Sequence, residues 1–480
     1  MNNEFSYYPF GFIFTDFLIE TPPKNYLHKN ILNKYNYYYE EKSSHEVFQT
    51  DNAFILIHGH FVFLGQEIEG NLLETLLAAY TNNYNQFLTM LDLLAGRYVI
   101  FIHDKFKTLI FPDATASRTT YYSIHTNIAC SHVNLLNDIV PHSFKQFSND
   151  FDLLGITWDL SPFEDIKSIT PNLFVDFNNK SKERFFPRRE NTYNKYSLNE
   201  KFDFVEKSMS TIFKYYTQNF EDVNLSLTGG EDSRFTLAMA KSFYSKLNSF
   251  TYTIKDNTQF QNKLYVEITS LDKKIVKELL NYVPIKHQFI TFQPNQFDLT
   301  DSMIHALNKN RIVEHLPFLI PYYANLFTER EKTINIRSSI FGLSRAHYNI
   351  KDRKNAVDEV KKSFYYSMNK YKDLPIFDEI DLDSVYRYGI SELEYDSNLY
   401  DFHILDLYFW ESRIGRWMPE TLNETDLFFE TLNVFNARSL IELSLSFNYN
   451  DRKSGFLFNE LINRNYPILN FFGKNTVHNL

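Results

Sequence analysis

Cysteine is almost missing: Cys130 is the only one in 480 residues. One thiol excludes an intrachain disulfide framework and any multi-cysteine metal site. A chain without disulfides suits a reducing compartment, so a cytoplasmic location is expected. Basic charge is also short, with 49 Lys and Arg against 59 Asp and Glu and a net charge of −10. That balance argues against a general nucleic-acid binder, because neutralising phosphates needs clustered Lys and Arg. It leaves room for a local basic pocket. No run of 18 apolar residues occurs, so no membrane span is expected. The N-terminal stretch MNNEFSYYPFGFIFTDFLIE lacks a basic segment, and Glu4 and Asp16 interrupt its apolar character, so no signal peptide is expected either. The histidines show no metal-binding spacing near paired acids; His58 and His60 alternate on one strand face and supply two ligands at most. Ser226 and Ser233 have no identifiable His or acid partner, which disfavours a serine hydrolase.

What is present is a full apolar complement, 44% of residues, with 47 Phe and 33 Tyr. The length suggests two or three domains. The first third carries short β-rich runs, Ala53 to His58, Arg97 to His103, Thr108 to Phe111 and Thr120 to Ile124. Asn71 to Tyr80 has helical spacing. A polar, charged stretch over 178–200, broken by Pro187, marks a boundary between domains at 1–190 and 195–480. Beyond it, a helix over Glu200 to Asn219 leads into strand–helix alternation. Strands are predicted over Val223 to Leu227 and Ser249 to Ile254, and helices over Ser233 to Tyr244 and Asp272 to Tyr282. This order predicts a parallel sheet with crossover helices. The remainder, from about 300, reads as mainly helical.

The sharpest local signal is VNLSLTGGEDSRFTLAMA, and within it Ser226, Leu227, Thr228, Gly229, Gly230, Glu231, Asp232, Ser233 and Arg234. A buried strand ends at Thr228, two glycines follow, and a helix begins near Asp232 or Ser233. Glycines let the backbone approach a phosphate and adopt positive φ. Free amides at a helix start favour an anion. Thr228 and Ser233 add hydroxyls, and Asp232 can hold Mg²⁺ against phosphate oxygens. A Gly-Gly turn with Asp capping a helix explains the glycines alone. The full string is more specific and resembles the pyrophosphate loop, Ser-Gly-Gly-x-Asp-Ser, of the ATP pyrophosphatases.

Further segments resemble asparagine synthetases in the same order. Leu91 to Ile102, Asp113 to Tyr122, Ile128 to Leu136 and Ile166 to Phe174 resemble strands of that family's glutaminase domain and linker. Asp272 to His287 and Glu430 to Phe435 resemble parts of its synthetase domain. The resemblance implies an N-terminal degenerate Ntn-type αββα sandwich. It implies a C-terminal α/β ATP-pyrophosphatase domain with a helical last part. It also implies adenylation of a substrate carboxylate with ATP and Mg²⁺, release of pyrophosphate, and attack by an amine. The acid would be a small molecule, a peptide or a sugar acid, and family members are often homodimers.

Two departures matter. The family's glutaminase nucleophile is an N-terminal cysteine, whereas Asn2 follows Met1 here and Cys130 lies within an apparent strand as a small core residue. No glutamine hydrolysis is expected, and ammonia would come from a separate source or the amine from the substrate itself. The family's later acidic motif aligns with Ile336 to Tyr348, where its acidic pair falls on Gly342 and Leu343. Asp232 is then the only family-matched Mg²⁺ ligand. Arg337, Ser338 and Arg345 in this segment are candidates to contact phosphate or substrate, with ordinary structural arginine as the alternative. Arg413 and Arg416 stand three apart between two tryptophans; on an α-helix they share a face and could grip an anion, or pair with Glu411 or Asp406. Lys474 aligns with a family lysine that stabilises the acylation transition state, and Lys453 is its rival. The expected activity is an ATP-dependent amide-bond-forming ligase with Asp232 and Lys474 as catalytic residues. Its rivals are a catalytically inactive binding or scaffold protein, and an enzyme that thiolates or adenylates a nucleic acid, which the acidic charge disfavours.

Overall fold

Short strands, many of them buried on both faces, build the first half. The structure is a computed structural model and describes residues 7–144, 156–255, 263–293, 296–315, 317–346, 348, 356–373, 377–378 and 380–475. The strands, in chain order, are β1 (Phe12–Thr15), β2 (Tyr26–Ile31), β3 (Tyr35–Glu40), β4 (His45–Gln49), β5 (Phe54–Phe63), β6 (Leu94–His103), β7 (Thr108–Pro112), β8 (Tyr121–Ser123), β9 (Ile128–Cys130), β10 (Ile166–Ser168), β11 (Leu173–Asp176) and β12 (Lys182–Arg184). They form two six-stranded antiparallel sheets, ordered β10-β8-β9-β1-β3-β2 and β12-β11-β7-β6-β5-β4. The facing sides interdigitate through Phe12, Phe14, Tyr35 and Tyr37 from one sheet and Phe54, Leu56, Val99 and Phe101 from the other. With a strand period of two, Ile55, Ile57, Ile100 and Ile102 turn outward. There they meet the helices Leu72–Asn82 and Tyr84–Asp92. The first of these is capped by Asn71, whose side chain accepts from the amides of Leu73 and Glu74. The opposite outer face carries Ile13, Tyr121, Cys130 and the helix Val133–Ile139. Cys130 is fully buried, and burial pushes its thiol up, away from the reactive thiolate.

The second half begins with the helix Leu198–Asn219, closed at its start by a reciprocal Ser197–Glu200 capping box. Then β13 (Asp222–Ser226), β14 (Asn248–Ile254), β15 (Lys286–Phe292), β16 (Thr333–Arg337) and β17 (Glu430–Asn433) form one parallel sheet in the order β15-β14-β13-β16-β17. The molecule is thus mixed α/β, with a parallel sheet and a largely helical C-terminal part. The helix predicted to begin at Asp272 begins at Lys263, because its buried stripe of Ile268, Thr269, Asp272, Ile275, Val276 and Leu279 starts upstream of that aspartate. The helix predicted to run to Tyr244 ends at Met239 and continues as the 3₁₀ segment Lys241–Lys246. Among the described residues no helix is long and apolar enough to cross a membrane.

The two halves meet through buried charge. Arg97 of β6 is 1% exposed and donates from both terminal nitrogens to Asp426, at 2.6 and 2.8 Å. Arg118 donates to Glu430, the first residue of β17, and His60 of β5 lies 3.3 Å from the same carboxylate. Burial alone would raise the Glu430 carboxyl, but the charges of Arg118, His60 and Arg97 outweigh it and hold it well below the usual range. Removing one member strands its partner in a dry interface, at a cost of about 3–5 kcal/mol. Urea unfolding of Arg118→Met should therefore show a loss of that order, and Arg118→Met with Glu430→Met together should recover part of it. The folded carboxyl of Glu430 lies below its unfolded value of 4.5, so its stabilisation is present above that pH and fades below it. Stability curves of wild type and Glu430→Gln should begin to converge as the pH falls below about 5 and go on converging through the acid range. A gap that stays constant would contradict this.

Candidate functional site

In an open parallel sheet, ligands bind beyond the carboxyl ends of the strands where the strand order reverses. Here that point lies between β13 and β16: successive strands β13, β14 and β15 run to one side, and β16 and β17 lie on the other. The loop after β13 is the Thr228–Ser233 stretch, and the segment after β16 is Ser338 to Arg345. The predicted phosphate loop and the predicted arginine segment therefore face each other across the crevice. Two polar contacts join the elements that carry them: Ser226 Oγ of β13 donates to Asn335 Oδ1 of β16 at 2.9 Å, and Thr236 Oγ1, in the helix after the loop, lies 2.8 Å from Ser338 Oγ.

The loop is internally tied. The Thr228 amide donates to Ser233 Oγ at 3.1 Å, and the Gly230 amide to Thr228 Oγ1 at 3.2 Å. The Gly229 amide donates to Asp272 Oδ1 at 2.8 Å. Leu227 is buried, and its amide and carbonyl are used by Phe250 and Thr251 of β14, so it shapes the strand end with its backbone. The helix Glu231–Met239 starts one or two residues earlier than expected, behind Gly230 at φ −76°. The expectation that these glycines supply positive φ is corrected: neither does so. Gly229 is required by close approach, because a Cβ there would sit 2.9 Å from both Asp272 Oδ1 and Ile275 Cδ1.

At the mouth of the loop four charges meet. Arg345 pairs with Asp232 and, at 2.9 Å, with Glu231; Lys474 reaches Glu231 at 2.5 Å and Asn459 Oδ1 at 3.1 Å. Desolvation alone would lower the Arg345 guanidinium, but Asp232 and Glu231 outweigh it and raise it. Arg345 and Lys474, more than a hundred residues apart, thus both arrive at Glu231, and Arg345 holds Asp232 as well. The last described residues reach the loop: the Asn475 amide donates to Gly229 O at 3.1 Å, and its side chain donates to Asp272 at 2.8 Å. Lys453 points elsewhere, to the carbonyls of Ala346 and Tyr348.

Three sequence expectations are corrected here. Arg234 does not offer its side chain to a phosphate; it is fully buried and donates to the carbonyls of Gly229, Leu469, Phe472 and Gly473, fastening loop to tail. Arg413 and Arg416 do not share a face. Residues Phe409–Trp417 form a π-helix, whose wider turn separates positions three apart. Arg416 is buried against Ser168 Oγ and the Leu160 carbonyl, while Arg413 stacks on Trp417 with its guanidinium carbon 3.7 Å from the ring centre. Glu411 pairs with Arg184, and Asp406 with Arg452, so neither serves those arginines as an ion-pair partner. Arg337, at the end of β16, lies 3.4 Å from His315 Nε2. Burial, with Arg337 and Arg413 nearby, pushes His315 down to about 3, so it is neutral at ordinary pH.

The residues missed from sequence are Asp272, Glu231 as a charge partner, Asn475 and His315. Asp272 had a legible signal, a carboxylate on the apolar stripe of a helix. Asn2, where an N-terminal nucleophile would stand, lies outside the described residues.

A magnesium ion would find one aligned carboxylate, Asp232, beside Glu231. Both are already paired with Arg345, and among the described residues no group of three or more His, Cys, Asp or Glu side chains converges. These residues fit the ion only as one carboxylate contact on a metal that is otherwise held by phosphate oxygens and water.

No family model matches this chain, and no curated protein matches it. Solved structures give distant likenesses. One is a glutamine-dependent NAD⁺ synthetase from Acinetobacter baumannii in complex with ADP, 12% identical over 38% of this chain and 33% of that one, TM-score 0.19. Another is an NH₃-dependent NAD synthetase from Campylobacter jejuni, 15% identical over 41% and 96%, TM-score 0.20. A third is a glutamine phosphoribosylpyrophosphate amidotransferase from B. subtilis complexed with ADP and GMP, 11% identical over 70% and 71%, TM-score 0.22. The chain spans a third of the Acinetobacter enzyme's length. At these scores the likenesses carry no weight beyond that description.

The two loop glycines should respond differently to the same change. Gly229→Ala forces the Lys263–Leu279 helix back from the loop and should cost about 1–3 kcal/mol in urea unfolding. Gly230→Ala meets only Thr228 Oγ1, at 3.2 Å, and should cost far less. Equal effects would contradict the close-approach role of Gly229.

Proposed function

We propose that this chain is an ATP-dependent ligase that activates a carboxylate as its acyl adenylate and passes the acyl group to an amine. The single observation that carries the reading is the meeting, at the switch point of the parallel sheet, of the Thr228–Ser233 loop with Arg345 and Lys474. In this reading the amides and hydroxyls of the loop receive the pyrophosphate end of ATP, with Ser226 and Leu227 shaping the strand below it. The carboxylate oxygen of the substrate attacks the α-phosphorus, the bond to the bridging oxygen of the β-phosphate breaks, and pyrophosphate leaves. The amine then attacks the acyl carbon, loses a proton, and AMP departs. Arg345 and Lys474 supply fixed positive charge where phosphate charge accumulates. Mg²⁺, when bound with the nucleotide, adds further neutralisation, and Asp232 would hold it. The degenerate Ntn-type sandwich has a structural role, and ammonia or a substrate amine comes from outside the chain.

A second reading is an inactive binding protein. Two observations favour it: Asp232 is neutralised by Arg345, and the Gly229 amide is taken by Asp272. Calorimetry with MgATP separates the two when joined to an assay for pyrophosphate. The ligase reading expects MgATP to bind the wild type, at least tenfold weaker binding by Asp232→Ala, and pyrophosphate release that depends on an added carboxylate. Binding without release under any carboxylate supports the inactive reading. Equal release from wild type and Asp232→Ala would sink the ligase reading.

A further inference from the structure

Lys474 stands near the end of the chain, and its side chain is 39% exposed. Neither fact favours a fixed position. Residues near a terminus fray unless they are tied down, and a lysine ammonium rides on a flexible four-carbon stem. An ion pair this exposed, with Glu231, is weak. The anchors of Lys474 are its neighbours along the chain.

On one side, Arg234 takes hold of the backbone. Its guanidinium is fully buried and donates to the carbonyls of Leu469 at 3.2 Å, Phe472 at 3.0 Å and Gly473, the residue before Lys474. On the other side, the Asn475 amide donates to Gly229 O at 3.1 Å. Its side chain donates to Asp272 Oδ1 at 2.8 Å and to the Ile268 carbonyl at 3.0 Å. These two anchors converge on one residue of the phosphate loop. Asp272 accepts from the Gly229 amide, and Gly229 O accepts from Arg234 at 3.1 Å as well as from Asn475. The anchors are also dry: Arg234, Asp272 and Asn475 are 0%, 5% and 9% exposed. Breaking a buried bond of this kind leaves its partner unsatisfied, so the backbone on both sides of Lys474 is held more firmly than its side chain. The helix Phe456–Asn465 steadies the ammonium itself, since Asn459 Oδ1 accepts from it at 3.1 Å.

We infer that Arg234, Asp272 and Asn475 are positioning residues that act through Lys474, clasping the chain on both sides of it so that its ammonium is aimed at the mouth of the Thr228–Ser233 loop. The purpose of that aim, a positive charge in place for the departing pyrophosphate, rests on the ligase reading; the clasp itself does not. A charge fixed beforehand is worth more to an arriving anion than a mobile one, because nothing remains to be ordered.

Hydrogen exchange and calorimetry on the full chain test this, the second with inorganic pyrophosphate as probe. In the wild type the amide at 475 should exchange at least tenfold more slowly than in an unstructured chain. Asp272→Ala should abolish that protection. Asp272→Asn, which keeps an acceptor oxygen, should retain it, and so should Lys474→Gln. Lys474→Gln should bind pyrophosphate at least tenfold more weakly than the wild type. Asn475→Ala and Arg234→Lys, which leave the net charge unchanged, should each weaken it at least threefold. When Lys474→Gln is already present, Asn475→Ala should add nothing further. Thermal melting checks the folding of each variant, and Asn475→Ala carries the test alone if Arg234→Lys does not fold. A wild-type amide at 475 that exchanges like free chain overturns the inference, as does protection that survives Asp272→Ala. An equal loss from Asn475→Ala with and without Lys474 also overturns it. If the exchange results are as expected and the wild type binds no pyrophosphate, the clasp stands and the ligase reading fails. If pyrophosphate binding falls with Lys474→Gln but not with Asn475→Ala, the reverse holds.

Discussion

The structure depends on charge that cannot be left alone. Arg97, Arg118, Asp426, Glu430 and His60 lie between the double-layered antiparallel half and the parallel sheet, and four of the five are at most 2% exposed. Sliding one half along the other would leave a guanidinium or carboxylate buried without its partner. That penalty exceeds the yield of most single contacts. The network also protects the sheet. β17 is an edge strand, and an open edge invites further pairing. Its first residue is the carboxylate that Arg118 and His60 hold. Just beyond its end, Asn436 accepts from the Gly96 amide at 3.0 Å through its carbonyl and donates to Asp113 at 2.9 Å. Gly96 has φ +135° and would set a Cβ 2.1 Å from His60 O, so the close approach at this seam needs a residue without a side chain. With β17 pinned, β16 is in register beside it, and Arg337 and Ser338 are delivered to the crevice.

How much of this is legible in the chain follows from the range of the forces involved. The runs Phe54–Phe63 and Leu94–His103 announce strands because their side chains alternate between two buried faces, a local property. The loop is legible because hydroxyl, glycine and carboxylate positions at a strand end report on one another within ten residues. Early strands are less legible: β2 buries only its terminal residues and reads as a polar stretch. Arg234, next to the readable loop, misleads for the same reason that the loop informs. Its backbone is local, but its guanidinium goes to carbonyls at Leu469, Phe472 and Gly473, more than 230 residues away. The π-helix at Phe409–Trp417 is a second case. The sequence has two arginines at α-helical spacing, and only the backbone around Gly415, packed against Pro171, tells them apart.

At the loop mouth, attraction and availability oppose each other. Two carboxylates, Glu231 and Asp232, face two cations, Arg345 and Lys474, and the local charge is balanced. Partial exposure and salt weaken these pairs, so none is a strong lock. Asp272 differs. It is 5% exposed and satisfied by the Gly229 amide and the Asn475 side chain. A buried carboxylate facing a loop amide shows that this backbone accommodates an anion. It also means that any anion reaching for the Gly229 amide would have to displace a side chain of the protein itself.

Arg345 links the two halves of the candidate site. The same guanidinium holds Asp232 at the mouth of the Thr228–Ser233 loop and lines the neighbouring cavity. It cannot serve both fully. A ligand that drew it toward the cavity would leave Asp232 without its cation, and one that captured Asp232 would release Arg345. Occupancy of either place would then bear on the other through one side chain, by the same factor in both directions.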